Sequence, residues 1–429
     1  MQGEKSREKL IEDLKRMFPG GVLTCYAPPR SVAFVPEYGK GSKLYDVDQN
    51  EYLDYMCGQG VLLLGNAHPS VNEAVKEQID KGSWLRVFPS KPTIELADKI
   101  IKAVPCAQKI VFVNSGAEAT FYALRASRAF TRKDKILKFE GGYHGFHDWV
   151  AMSISPKKLI DFPSPIPESA GIPECVLNEV LIAPFNDLEK TEEIIEKNKD
   201  VLAAVIVEPI QRSIPPKTGF LEGLREITKL HGICLIFDEV VTGFRIALGG
   251  AQEYYGVVPD LATYGKAIGG GYPIGVLCGK REIMDLFDPF DRAPNYAMLS
   301  GTLSGNPISS TAGLAVLAEM EKPGAYEKLN GLGERLRSSI REIIKSQGIT
   351  AQVTGEGSIW HVYFTEEEVF DFRSGLKADN QKLTQFHTEL IRNRILPIYM
   401  TKGYLSTAHS TEDIDKTLNI IEHILSKMH

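Results

Sequence analysis

Six short runs rich in β-branched and apolar residues punctuate the middle of the chain: "KIVFVNS", "DKILKFEGG", "VLAAVIVEP", "ICLIFDEV", "LATYGK" and "IGVLCGK". Between several of them lie stretches of helical period, such as "AEATFYALRASRAF" and "LEGLREITKLHG". Strands that are apolar along their whole length, rather than alternating, must be covered on both faces, and intervening helices supply the cover. The pattern predicts an α/β fold with a mostly parallel central sheet in a large domain over residues 60–318. The ends read differently. Residues 1–59 carry an extended segment and a hairpin, "SKLYDVDQNEYLDYM", turning at Asp48-Gln49-Asn50. Residues 319–429 open on the amphipathic helix "YEKLNGLGERLRSSIREIIKSQG", followed by strands and further helices. The two ends are expected to pack as a small α+β domain.

The formal net charge of -6 leaves no basic face for nucleic acid. A phosphorylated ligand would need a local site, because bulk attraction will not hold it. The cysteines Cys25, Cys57, Cys106, Cys175, Cys234 and Cys278 are scattered, without a CxxC pair, which reads as reduced thiols. No apolar run approaches a membrane span, and the charged start "MQGEKSREKLIEDLKRMFPGG" is not a secretory signal. A cytoplasmic protein is the expectation.

In open parallel sheets ligands sit beyond the carboxyl ends of the strands, so the residues that terminate the apolar runs are the informative ones. "KIVFV" ends in Asn114-Ser115-Gly116-Ala117-Glu118 before a helix. Ser115 and the backbone N–H groups of Gly116 and Ala117 suit a phosphate at a helix N-terminus, or an ordinary N-cap. "ICLIF" ends in Asp238-Glu239, acids that would hold a cation, cap a helix or form a structural ion pair. "DKILKFEGG" runs into "YHGFHDW", placing Tyr143, His144 and His147 around a glycine. That spacing offers no third convergent metal ligand, and an aromatic ring there suits a flat ligand better. "LATYGKAIGGG" sets one cation, Lys266, at the mouth of a strand. Phosphate donors, a carboxylate, a stacking ring and a lysine at one sheet edge are the parts that pyridoxal 5'-phosphate requires.

The blocks "KLYDVDQNEYLDY", "LGNAHPSV", "VNSGAEATFYALRASRAFTRKDKILKFEGGYHG", "FDEVVTGFRIALGGAQEYYGVVPDLATYGKAIGGGYPIG", "GTLSGNPISSTAG" and "AHSTEDI" span nearly the whole chain. On these it resembles the class III aminotransferases of PLP fold type I, and among them the glutamate-1-semialdehyde 2,1-aminomutases. The resemblance implies that Lys266 forms the Schiff base and carries protons, and that Asp238 pairs with the pyridinium nitrogen. Val240 would pack on one ring face and Tyr143 on the other, with His144 in support. Ser115, Gly116 and Ala117 would bind the phosphate, and Glu208, in "VEP", would be a supporting acid. Thr302, in "GTLSGNP", would reach the phosphate of the neighbouring subunit in a homodimer with shared sites.

Several segments depart from the aminomutase pattern: "GGVLTCYAPPRSVAF", "CGQG" with Gln59, the proline-rich "SISPKKLIDFPSPIPESAGIP", and Thr401 beside Lys402 where that pattern has an acid. The Arg–Glu switch of many glutamate-using members is absent too, with Ser213 at its first position. These are positions of the substrate pocket. They favour an intermolecular aminotransferase, working on a small-molecule amino donor and a keto acid acceptor, over the aminomutase, racemases and decarboxylases of the same fold. Arg30, Arg86 and Arg212 are the candidates for holding a substrate carboxylate.

Overall fold

The computed structural model describes residues 2–24, 27–83, 88–292 and 294–428. Near the start of the chain, strands Pro36–Lys40 (β1), Lys43–Asp46 (β2) and Glu51–Asp54 (β3) form an antiparallel meander. One side chain sets its second turn. Asp46 Oδ1 accepts the backbone N–H groups of Asp48 at 3.0 Å and Asn50 at 2.8 Å, the local bonding that makes aspartate a turn former.

The large sheet follows from residues that bury both faces. Lys109–Val113 (β4), Lys135–Phe139 (β5), Val180–Ala183 (β6), Leu202–Val207 (β7), Cys234–Asp238 (β8), Leu261–Tyr264 (β9) and Gly275–Gly279 (β10) lie in the order β4-β10-β9-β8-β7-β5-β6 among the described residues. The pairs within β6-β5-β7-β8-β9 are parallel, while β10 runs antiparallel to both β9 and β4. All residues of β7 and β8 are buried, as continuous apolar runs demand. Strand β6 is the one the sequence reading did not anticipate, a four-residue run hidden in "LNEVLIAPFND". Helix Gly116–Thr131 presents Ala119, Ala123 and Ala126 to Ile136, Ile206, Ile236 and Leu277, and small side chains let it lie close to the sheet.

The chain divides into two compact units. One takes Met1–Pro69, Gly324–Glu368 and Lys377–His429; the other takes Ser70–Pro323 and Val369–Leu376. Both differ from the boundaries read from sequence: the first unit runs on to Pro69 rather than residue 59, and the short segment Val369–Leu376 belongs with the large sheet. Within the first unit, Ile395–Leu396 (β13) extends the β1–β3 sheet in parallel with β3. Gln352–Thr354 (β11), Ile359–Tyr363 (β12) and Gly403–Tyr404 (β14) form a separate three-stranded sheet. Among the described residues no helix is long and apolar enough to cross a membrane.

Candidate active site

The parallel register of β8 and β9 decides where the chemistry gathers. Asp238 pairs with Thr263 in that register, so the carboxylate ends β8 opposite a hydroxyl three residues before Lys266. Asp238 is 4% exposed, and each of its oxygens has at least one hydrogen-bond partner. Oδ2 lies 2.7 Å from His144 Nδ1, while Oδ1 accepts Thr263 Oγ1–H at 3.2 Å and the Val240 N–H at 3.1 Å. A carboxylate buried at this depth is tolerable because donors surround it. Among the described residues, the opposite ring nitrogen of His144, Nε2, is buried without a hydrogen-bond partner.

Lys266 begins a short 3-10 turn, Lys266–Gly269, with φ 46, a left-handed value that a non-glycine residue adopts only where its surroundings impose it. Burial holds its amine below the usual lysine range, the nearby acids Asp238 and Glu208 oppose that shift, and the charges of Arg212 and Arg245 add to it. Among these groups a neutral, nucleophilic amine is easier to reach than in water.

The N-terminus of helix Gly116–Thr131 lies against the same turn. A Cβ placed on Gly265 would come within 3.4 Å of the Gly116 nitrogen, and one on Gly116 would meet Val240 Cγ2 at 2.6 Å. Glycine at 116 is therefore required for Val240 to pack over the helix start. Ser115 is the N-cap: its Oγ accepts the Glu118 N–H and its carbonyl the Ala119 N–H. The N–H groups of Gly116 and Ala117 remain at the open end of the dipole, the arrangement that attracts an anion. Glu118 turns back to accept the Asn114 N–H at 3.0 Å, so "NSGAE" forms a capped helix start that leaves its first N–H groups open to an anion.

The loop after β5 carries Tyr143, which is 38% exposed. Its backbone N–H donates to Glu208 Oε2 at 2.8 Å, and Glu208 is itself buried. Gly145, at φ 108, lets the loop close on Ala117, where a Cβ would meet the alanine methyl at 2.6 Å. The second histidine, His147, is pushed down to about 3 by burial and by neighbouring His144 and Arg128. Among the described residues no group of three or more His, Cys, Asp or Glu side chains is placed to hold a metal.

The remaining sequence candidates separate. Arg212 is half-buried, donates from Nε to the Gly141 carbonyl at 3.0 Å, and sets its guanidinium 5.3 Å from the Tyr143 ring centre. Arg30 is an exposed residue of the other unit, on the turn Arg30–Val32. Arg86 lies outside the described residues. Thr302 is exposed in the turns before helix Pro307–Met320. The proline-rich segment is anchored at several points: Glu168 accepts the N–H groups of Ile154 and Ser155, and Arg373 donates to the Ile160 carbonyl while stacking on Phe162.

Four supporting residues escaped the sequence reading. Thr263 has no signal beyond its place three residues before the lysine. Lys138 stood out only as a charge inside an apolar run. Glu140 and Arg373, joined by two hydrogen bonds of 2.7 and 3.1 Å, are too far apart in the chain for any local pattern to connect them.

These residues fit pyridoxal 5'-phosphate: a buried carboxylate oriented by hydrogen bonds, a desolvated lysine, an anion-ready helix start and an exposed aromatic face meet at one sheet edge. Comparison with known proteins agrees. A family model described as aminotransferase class-III matches residues 26–425. A glutamate-1-semialdehyde 2,1-aminomutase of Methanosphaera stadtmanae is 43% identical over 434 residues, covering 100% of this chain and 100% of that protein. Among solved structures, an omega-transaminase from Sphaerobacter thermophilus superposes with a TM-score of 0.92 at 34% identity, covering 98% of this chain and 97% of that chain. A transaminase with PLP bound superposes with a TM-score of 0.89 at 29% identity, covering 100% and 98%. The chain belongs to the class III aminotransferase family, has the fold of its PLP enzymes, and its cofactor is pyridoxal 5'-phosphate. One expectation is corrected. The preference for an intermolecular aminotransferase rested on departures in the substrate-side segments, and full-length identity to an aminomutase overturns it. Apart from short helical turns such as Arg30–Val32 and Cys57–Gly60, the described parts of those segments are loops and turns, which vary among relatives more readily than the elements they join.

Proposed function

We propose that this class III enzyme is a glutamate-1-semialdehyde 2,1-aminomutase. It would move the amino group of glutamate 1-semialdehyde from C2 to C1, giving its isomer 5-amino-4-oxopentanoate. The observation that carries the reading is the 43% identity, over the full length of both chains, to an enzyme of that name. Substrate and product contain the same atoms, so no second keto acid is consumed.

Ser115 Oγ and the N–H groups of Gly116 and Ala117 would hold the phosphate of the coenzyme, Asp238 its ring nitrogen, and Val240 and Tyr143 its two faces. His144 would fix the Asp238 carboxylate and Glu208 the Tyr143 loop. Bound there, the coenzyme supplies an electron sink for the carbon that carries the amine. The isomerisation takes a proton from C2 and delivers one to C1. Lys266 Nζ would serve both carbons, and its lowered pKa keeps a useful fraction of the amine neutral. The exposed Thr302 hydroxyl would reach the phosphate of a second subunit, so the working form would be a homodimer.

The test is to supply coenzyme-loaded protein with glutamate 1-semialdehyde alone and to measure 5-amino-4-oxopentanoate. Many equivalents per site without any keto acid are expected. Formation of one equivalent per site or less, with turnover restored only by a keto acid, would refute the reading.

A further inference from the structure

Two guanidinium groups, Arg212 and Arg245, place their charge where Lys266 feels it. They differ in access. Arg245 is fully buried, whereas Arg212 is half-buried. Only the second can meet an incoming small molecule.

Arg212 is also held in an unusual way. Its φ of 61 puts a long, β-carbon-bearing residue in the left-handed region, a conformation that persists only where neighbours enforce it. The enforcement is visible. Gln211 and Ile214 exchange both backbone hydrogen bonds, each at 2.9 Å, closing a tight turn around residues 212 and 213. Gln211 Nε2 then pins that turn to the Glu140 carbonyl at 2.7 Å. Nε of Arg212 is spent on the Gly141 carbonyl, which fixes the plane of the fork, and the Tyr143 ring lies 5.3 Å from its centre. A turn that only crossed the surface would not need three separate restraints to aim one side chain.

We propose that Arg212 binds the carboxylate of the substrate and so determines which amino compounds enter; the identity of that substrate rests on the aminomutase reading. Two methylenes separate C2 of glutamate 1-semialdehyde from its carboxylate carbon, about 4 Å when extended. The Arg212 guanidinium lies 5.3 Å from the centre of the Tyr143 ring, which would cover one face of the coenzyme, so the fork borders the place where a substrate would sit. Arginine suits the task because its planar fork pairs with both oxygens of a carboxylate.

The test titrates coenzyme-loaded protein with 5-amino-4-oxopentanoate and with the corresponding carboxamide, followed by the visible absorbance of the coenzyme. Wild-type protein should bind the acid about tenfold to a hundredfold more tightly than the amide. In Arg212→Gln the two affinities should converge to within about twofold, with KM raised far more than kcat is lowered. Arg212→Lys should fall between, since it keeps the charge and loses the fork. Should Arg212→Gln fail to retain coenzyme, the lysine variant decides: a lower acid-to-amide ratio supports the assignment and an unchanged ratio overturns it. The assignment is also overturned if wild-type protein does not prefer the acid, or if Arg212→Gln keeps the wild-type ratio. Failure of the aminomutase reading looks different: wild-type protein would leave glutamate 1-semialdehyde unisomerised while still distinguishing acid from amide through Arg212.

Discussion

Lys138 and Lys266 are both lysines taken out of water beside the same sheet edge, and burial depresses the pKa of each. Lys138 lies inside β5, fully buried, and its ammonium donates to the carbonyls of Met152 at 2.6 Å, Gly142 at 3.0 Å and Phe139 at 3.4 Å. Three donors meet three acceptors, and the amine ties the end of the strand to the loop that carries Tyr143. Lys266 follows β9 on a turn of left-handed backbone and is opposed by carboxylates. Burial alone therefore does not make a lysine reactive. What differs is whether its donors are consumed by main chain or left to face a site.

The largest effect should come from Lys266→Ala. Turnover of the loaded enzyme should fall to background, and coenzyme should be lost on gel filtration because it is no longer covalently held. The fold should survive, with an unchanged far-ultraviolet spectrum. Retention of activity would break the contrast between the two lysines.

Lys138→Met should do the reverse: coenzyme stays covalently bound and stability drops. Three buried carbonyls lose their donor, at about 1–3 kcal/mol overall once relief of the buried charge is set against them. The loss should depend on pH. Burial, reinforced by the charge of Arg212 and opposed by Glu208, Glu168 and Glu140, brings the folded pKa down to about 7 from 10.5. Between those values the unfolded chain binds more protons than the folded one, so this group makes stability rise with pH across that window, by at most about 1.4 kcal/mol per pH unit. Urea midpoints of wild type and variant should diverge from pH 7 to pH 10. A constant difference would mean that Lys138 does not titrate in the folded protein.

The same contrast explains what the sequence could reveal. Lys266, Asp238, Ser115-Gly116 and Tyr143 each end an apolar run, and a polar or glycine residue at that point is visible without coordinates. Lys138 is equally visible as a lysine in "KILKFEGG", yet nothing local says what its ammonium meets, because the acceptors at 142 and 152 arrive through a folded loop. Arg373 and Glu140 are 233 residues apart, so their pairing is purely tertiary. Adjacent acids show the limit within a single dipeptide. Asp238 faces the site, while Glu239, raised to about 7 by burial, caps helix Ala251–Tyr255 through the N–H groups of Ala251 at 2.6 Å and Gln252 at 3.2 Å. Glu239 lies one residue past the end of β8, where the chain turns away, and only the fold says which of the two acids meets a ligand. Substrate choice was the part misread. Altered loop sequences signal a different pocket wall, which is compatible with the same reaction.

The smallest effect tests the register itself. Thr263→Val keeps the shape of a buried side chain and removes one donor from Asp238 Oδ1, leaving His144 and the Val240 N–H in place. A hydrogen bond to a charged group is worth about 1.5–3 kcal/mol, so turnover should fall by about tenfold at the lower end of that range while the urea midpoint moves little. The comparison with Lys138→Met is the point: one buried polar group supports the fold and the other supports the charge at the site, and each variant should leave the other property intact. If Thr263→Val instead lowers stability as much as Lys138→Met while turnover is unchanged, then the hydroxyl serves the sheet, and Asp238 is held by His144 and the chain following β8 alone.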